Sequence, residues 1–355
     1  MKTLRFILFP LGLLFIAITE IRNFLYNSKI IRPSKFDVPV ISIGNLSVGG
    51  TGKTPHSDYL VALLQSQYRI ALLSRGYGRK TKEFLELTTE TNARDCGDEP
   101  MMLKKRHPDI SVNVEANRVK GIIHIIQNHP DTDVVLLDDA YQHRAVKPGF
   151  SILLTEAADP FFTDFILPVG NLRELRKNAN RCDVVVFTKC NGLDNEMKEF
   201  LLKSVKRYTP APVFFSSYRY LPLKQVFGDG TADAKGKKVF LLTGIANPSP
   251  LKKYYEEQSV LMMHLVFRDH YYFKEIDIRT IEKLFATFGS DCLIVTTEKD
   301  AVRLLSLKPE LRERLQKLPL YFQPVEVEMG NSEHFNQLVK NYVATATANY
   351  RSPQN

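Results

Sequence analysis

Short uncharged runs recur at residues 38–43, 70–73, 112–114, 134–137, 152–154 and 184–187, each followed by a longer stretch of mixed polarity. Runs of this length, rich in Val, Ile and Leu and without polar alternation, predict strands buried on both faces; the mixed stretches predict helices. The first helix is expected over 55–64. Strands alternating with helices make a mostly parallel sheet covered on both sides, the α/β class. A second series begins with VFLLTGIANP at 239–248 and continues through 261–267 and 292–297, which predicts a second, smaller α/β domain. The polar stretch FGDGTADAKGKK at 227–238 reads as a surface loop near a domain boundary. FFSSYRYLPL (214–223) and YFQPVEVEM (321–329) read as extended segments that pair as a two-stranded connector. The expected organisation is therefore an N-terminal helix (1–28), a first domain (29–213), a connector (214–236) and a second domain (237–320). A return strand and helix (321–343) and a disordered tail (344–355) complete it.

The N-terminus breaks the alternation. FILFPLGLLFIAI, residues 6–18, is uncharged and strongly apolar, shorter than the ~20 residues that span a bilayer as a helix. No small-x-small cleavage site follows, so a signal peptide is not supported. Phe24, Leu25 and Tyr26 extend the apolar face, while Arg22, Lys29, Arg32 and Lys35 add positive charge. That combination predicts a helix lying in the interface of an anionic membrane; the alternative is a buried core helix.

A hydrophobic content of 44% fits a folded globular chain, and a net charge of +9 calls for an anionic partner. Nucleic acid is disfavoured, because no dense basic stripe interleaves with aromatics. The cysteines Cys96, Cys182, Cys190 and Cys292 are scattered, which excludes a close-spaced zinc site and a disulfide framework.

The sharpest chemical signal is VPVISIGNLSVGGTGKTP at 38–55. A strand, a glycine-rich loop and a helix start occur in the order that a phosphate-binding loop requires. Ser47, Val48, Gly49, Gly50, Thr51, Gly52, Lys53 and Thr54 form the expected nucleotide-binding set. The glycines let backbone N–H groups turn toward phosphate oxygens, Lys53 reaches the β- and γ-phosphates, and Thr54 offers a hydroxyl to Mg²⁺. Ser47 stands where such loops normally carry their first glycine. The expected ligand is a nucleoside triphosphate with Mg²⁺, on a sheet of the P-loop NTPase type. Downstream, an apolar run ends in Asp138 and Asp139, the expected second half of the site. One of these aspartates binds or orients Mg²⁺, with Asp138 the candidate for the metal and Asp139 for the catalytic set.

Other polar motifs are ambiguous from the residues alone. Asp98 and Glu99 in GDEP open a helix and are explained by capping; Arg173 beside Glu174 in NLRELR fits a surface ion pair. His270, in FRDHYYF, is a lone histidine of the kind more often structural. FTKCN (187–191) sits where a GTPase would read guanine with N-K-x-D, but Asn191 offers an amide in place of the carboxylate, so guanine selection is not supported.

Taken together, GNLSVGGTGKTP, LLSRGYGR, GDEP, LLDDAYQHR, PVGNLRE, VVFTKC, FRDHYYF and TTEKDA resemble the tetraacyldisaccharide 4′-kinases of lipid A biosynthesis, over residues 41–300. The N-terminal apolar segment also resembles that family's membrane-associated helix. The resemblance implies transfer of the γ-phosphate of ATP to the 4′-hydroxyl of an acylated disaccharide 1-phosphate, with Mg²⁺, at the cytoplasmic face of the bacterial inner membrane. It further implies that Asp98 is the catalytic carboxylate, that His270 assists it, that Arg173 and Glu174 stand near phosphates and metal, and that Arg118 faces the site. The alternative function is a soluble P-loop NTPase acting on a protein partner.

Overall fold

The computed structural model describes residues 5–351 of the chain. In order, the first lobe contains α1 (Phe9–Asn27), β1 (Val40–Asn45), α2 (Lys53–Leu64), β2 (Ile70–Ser74), β3 (Leu85–Glu86), α3 (Asp98–Arg106) and β4 (Ser111–Val114). It continues through α4 (Arg118–Asn128), β5 (Val134–Asp138), β6 (Phe150–Glu156), β7 (Val184–Thr188), α5 (Asn195–Val205) and β8 (Val213–Tyr220). The second lobe holds β9 (Leu223–Gln225), β10 (Thr231–Ala232), β11 (Lys238–Thr243), α6 (Ser249–Gln258), β12 (Val260–Val266) and α7 (Glu275–Phe288). It ends with β13 (Cys292–Thr297), α8 (Glu298–Leu305), α9 (Pro309–Gln316) and β14 (Leu320–Gln323); β15 (Val325–Met329) and α10 (Ser332–Arg351) then return to the first.

The large sheet has the order β15-β8-β7-β6-β1-β5-β2-β4-β3, and the small one β10-β9-β14-β13-β11-β12. In the large sheet every pair from β8 to β4 is parallel, and only the edges β15 and β3 run antiparallel. The interior strands are buried along their length, as the unbroken apolar runs require. The chain leaves β1 toward β2 on one side, while β6 lies on the other. The carboxyl end of β1 is therefore a topological switch point, where open α/β sheets bind ligands. Register places Ile43 of β1 beside Asp138 of β5, so the aspartates emerge at that crevice.

On one face of the sheet, Ile41, Ile43, Leu136 and Ile152 pack with Leu60 and Leu64 of α2 and with Phe335, Val339 and Val343 of α10. Each such side chain contributes roughly 1.5–3 kcal/mol on burial. The i, i+4 stripe on α10 continues into buried Thr347, and Arg351 pairs with Asp133. Residues 344–351 are therefore helical and held, which corrects the expectation of a disordered tail; 352–355 lie outside the described residues. The 227–238 stretch is also not all loop: Thr231 and Ala232 pair with β9.

The two extended segments both cross between sheets. β8 leads into β9, β14 leads into β15, and the pairs β8–β15 and β9–β14 are antiparallel. Gln323 fastens the crossing by donating to the carbonyls of Leu221 and Pro324.

Helix α1 is inverted relative to a core helix. Gly12, Thr19 and Asn23 are its buried residues, while Phe9, Leu11, Leu13, Leu14, Ile18, Ile21 and Phe24 are exposed, Phe24 to 63%. The buried-core alternative is thereby excluded. The helix, 19 residues long, also extends beyond the apolar run into Arg22 and Asn27.

Candidate active site

The glycine-rich loop leaves β1 and closes on α2. Ser47 is extended and bridges to Leu172, with Val48 N–H donating to the Asn171 carbonyl at 2.7 Å. No left-handed turn is needed there, which accounts for a serine at this position. Gly52 is different: its φ is +88°, and a Cβ would lie 2.0 Å from the Tyr218 hydroxyl. Only glycine fits. Thr51 is braced from below, its Oγ1 accepting from Asn45 and its carbonyl from Thr188. Lys53 Nζ donates to the Gly49 carbonyl at 3.3 Å and stands 3.9 Å from Asp139.

Asp138 is buried, and its Oδ1 accepts from Ser57 at 2.9 Å. Burial, then the charges of Glu99 and Asp139, push its carboxyl up to about 6. Asp139 takes φ +47° and accepts from Arg173 at 2.9 Å. Burial opposes its ionisation, but Lys53 and Arg173 outweigh burial and hold it below the usual range. Arg118 lies against the turn that carries Asp138 and Asp139. It is fully buried and donates to the carbonyls of Glu115 and Asp138, so it fixes the backbone turn that carries the aspartates.

Among the described residues, no three His, Cys, Asp or Glu side chains group closely enough to hold a metal by themselves. That donor set fits Mg²⁺, which takes one or two carboxylates and completes its shell with phosphate oxygens and water. Thr54 and Asp138 remain as donors. Glu174 is fully buried; its Oε1 accepts from Arg22 at 2.5 Å and its Oε2 from Arg181 at 2.7 Å. Each oxygen is thus engaged by one guanidinium group.

Asp98, 2% exposed, opens α3 behind Gly97 (φ +95°). Its Oδ2 accepts from His270 Nδ1 at 3.0 Å and from Arg303 Nε at 2.7 Å, with Arg303 Nη2 on the same oxygen. Burial would raise the carboxyl, but the His270 hydrogen bond and the Arg303 and Lys299 charges hold it well below the usual range. His270 is moved up by the same hydrogen bond, against burial. Its ring lies against Tyr77, centroids 5.1 Å apart.

Glu99 pairs with Lys299 and also feels the charge of Lys53, so the start of α3 faces the glycine-rich loop. The structure thus brings Lys53, Thr54, Asp138, Asp139, Arg173, Asp98 and His270 to one crevice between the lobes. Arg303 and Lys299 were missed as site residues from sequence. Their signal was local, E-K-D-x-x-R on one helix turn, but nothing in it names a partner 205 residues away. Asn191 is committed elsewhere, its amide donating to the Tyr218 carbonyl and accepting from the Tyr218 N–H.

A comparison with protein families matches residues 4–344 to tetraacyldisaccharide-1-P 4′-kinase. A tetraacyldisaccharide 4′-kinase of Flavobacterium johnsoniae is 42% identical over 325 residues, covering 90% of this chain and 93% of that protein. One from Bacteroides thetaiotaomicron is 38% identical over 359 residues, covering 96% and 94%. Among solved structures, LpxK from Aquifex aeolicus in complex with ATP superposes with a TM-score of 0.78 at 29% identity, covering 96% of this chain and 99% of that one.

Proposed function

The chain belongs to the tetraacyldisaccharide-1-P 4′-kinase family, and we propose that it transfers the γ-phosphate of ATP to the 4′-hydroxyl of a tetraacyldisaccharide 1-phosphate in the crevice between its lobes. The observation that carries the site assignment is the Asp98–His270 contact, made across the lobes and opposite the glycine-rich loop. In this reading the loop amides and Lys53 hold the triphosphate, and Arg173 steers charge beside Asp139. The 4′-hydroxyl gives its proton to the Asp98–His270 pair as its oxygen bonds to the γ-phosphorus, and the bond to the ADP oxygen breaks. Asp98 is held ionised by Arg303 and is a poor place to keep a proton; His270, with its affinity raised, holds it until the lipid product leaves. Mg²⁺, with Thr54 and Asp138 as its protein donors, would supply charge to the β- and γ-phosphate oxygens.

The outward apolar face of α1 supports docking on a lipid surface, in this reading the cytoplasmic face of the inner membrane, where an acylated, anionic substrate resides. Labelled ATP, Mg²⁺ and tetraacyldisaccharide 1-phosphate, separated by thin-layer chromatography, test the reaction. Label on the lipid is expected. Release of free phosphate with none on the lipid would return the chain to an NTPase that serves a protein partner.

A further inference from the structure

His56 has no part in the chemistry described above, yet it is built into the loop that serves it. It sits one turn into α2, 3% exposed, with both ring nitrogens engaged. Nδ1 lies 2.7 Å from the Gly52 carbonyl and Nε2 2.9 Å from the Ser216 hydroxyl on β8. A carbonyl only accepts, so Nδ1 carries a proton; Nε2 faces the Ser216 hydroxyl, which also reaches the Phe187 carbonyl at 3.3 Å.

Two consequences follow from where those bonds end. The peptide joining Gly52 to Lys53 is planar and trans, so a carbonyl held toward His56, by its ring at 2.7 Å and its backbone N–H at 3.1 Å, turns the Lys53 N–H the opposite way, into the loop. The other end, Ser216, belongs to the strand that passes directly into the second lobe as β9. That lobe carries His270 and Arg303. On the same strand, the Tyr218 hydroxyl closes over Gly52.

We propose that His56 is a positioning residue for phosphoryl transfer, a strut that sets the Gly52–Lys53 peptide for the nucleotide and ties it to the strand connecting the lobes. The proposal rests on the kinase reading above and adds to it a residue that touches neither substrate. Its two arms are separable. The Gly52 arm orients the amide that meets phosphate and governs ATP affinity. The Ser216 arm passes the loop's position to the second lobe and governs turnover.

The test uses the full-length protein in mixed micelles, with kcat and KM for ATP and for lipid, and Kd for a non-hydrolysable ATP analogue. His56→Ala is expected to raise the ATP KM and the analogue Kd about tenfold and to lower kcat about tenfold, with the lipid KM within about twofold. Asparagine places its amide nitrogen where Nδ1 stands. His56→Asn should therefore restore the ATP KM to within about threefold of wild type while kcat stays low. Ser216→Ala should lower kcat alone, to the same degree. The proposal is overturned if folded His56→Ala keeps both constants within twofold, if His56→Asn is no better than alanine, or if Ser216→Ala leaves kcat unchanged. Should the alanine variant not fold, the asparagine and Ser216 variants decide. A wild-type protein that binds the analogue but never labels lipid would sink the kinase reading, and the analogue Kd would still decide the Gly52 arm.

Discussion

Asp98 and Arg303 are both buried, and each is costly to leave alone. Arg303→Ala would strand Asp98 and Asp300 without their guanidinium, and a stability loss of about 3–5 kcal/mol is expected in urea titration. A loss below about 1 kcal/mol would mean that the pairing is not retained in solution. Lys53→Ala should lower kcat by about 10² or more, because its ammonium acts on charge developing in the transition state. Retention of more than about a tenth of the activity would remove Lys53 from the catalytic set. His270 gives a pH signature. Its folded pKa is raised above the unfolded value of about 6.5, so the stability it adds through Asp98 is full below pH 6.5 and fades as pH rises through the folded value. The Tm difference between wild type and His270→Ala should accordingly be largest near pH 6 and shrink toward pH 9; a difference that grows with pH would contradict the contact. At this scale a motif is legible where its residues are contiguous. Lys53 and Thr54 declare themselves within eight residues, whereas Asp98 and His270 are 172 apart and gain meaning only when the lobes meet. The pairing of Glu174 with Arg22, from a helix 152 residues away, was likewise not legible from its own neighbourhood.

Among the elements, the interior strands were the most legible, because burial on both faces leaves an unbroken apolar run with nothing to confuse it. Helix α10 was under-read: the run ATATAN looks like a polar tail, yet Thr347 continues the face begun by Phe335 and is buried with it. Helix α1 was legible as an oddity but not as a geometry. Its polar and small residues face the protein, where Arg22 reaches Glu174 and Asn23 accepts from Arg144. Its apolar side faces outward. Replacing Leu14, Ile18 and Ile21 together by glutamine should thus release the protein from membranes into the soluble fraction while leaving that seat and the thermal unfolding unchanged. A variant that stays in the membrane fraction would place the anchor elsewhere. One that loses its folded state would show that the face is covered by protein.

Across the whole molecule, helices α3 and α8 face one another with opposite charges at three points: Asp98 with Arg303, Glu99 with Lys299, and Arg106 with Glu298. Two crossing strands and this row of pairs make one crevice from two sheets, with the glycine-rich loop on one wall and His270 on the other. The two α/β series were legible in the sequence; which helix of each lobe would meet was not. The central claim is that the catalytic unit is shared between the lobes, and a double-mutant cycle on kcat for the lipid tests it most directly. Asp98→Asn is expected to lower kcat with the ATP KM nearly unchanged, His270→Ala to lower it as well, and the double variant to be little worse than Asp98→Asn. Losses that simply multiply would show the two acting apart, and a wild-type kcat in Asp98→Asn would move the base to Asp139.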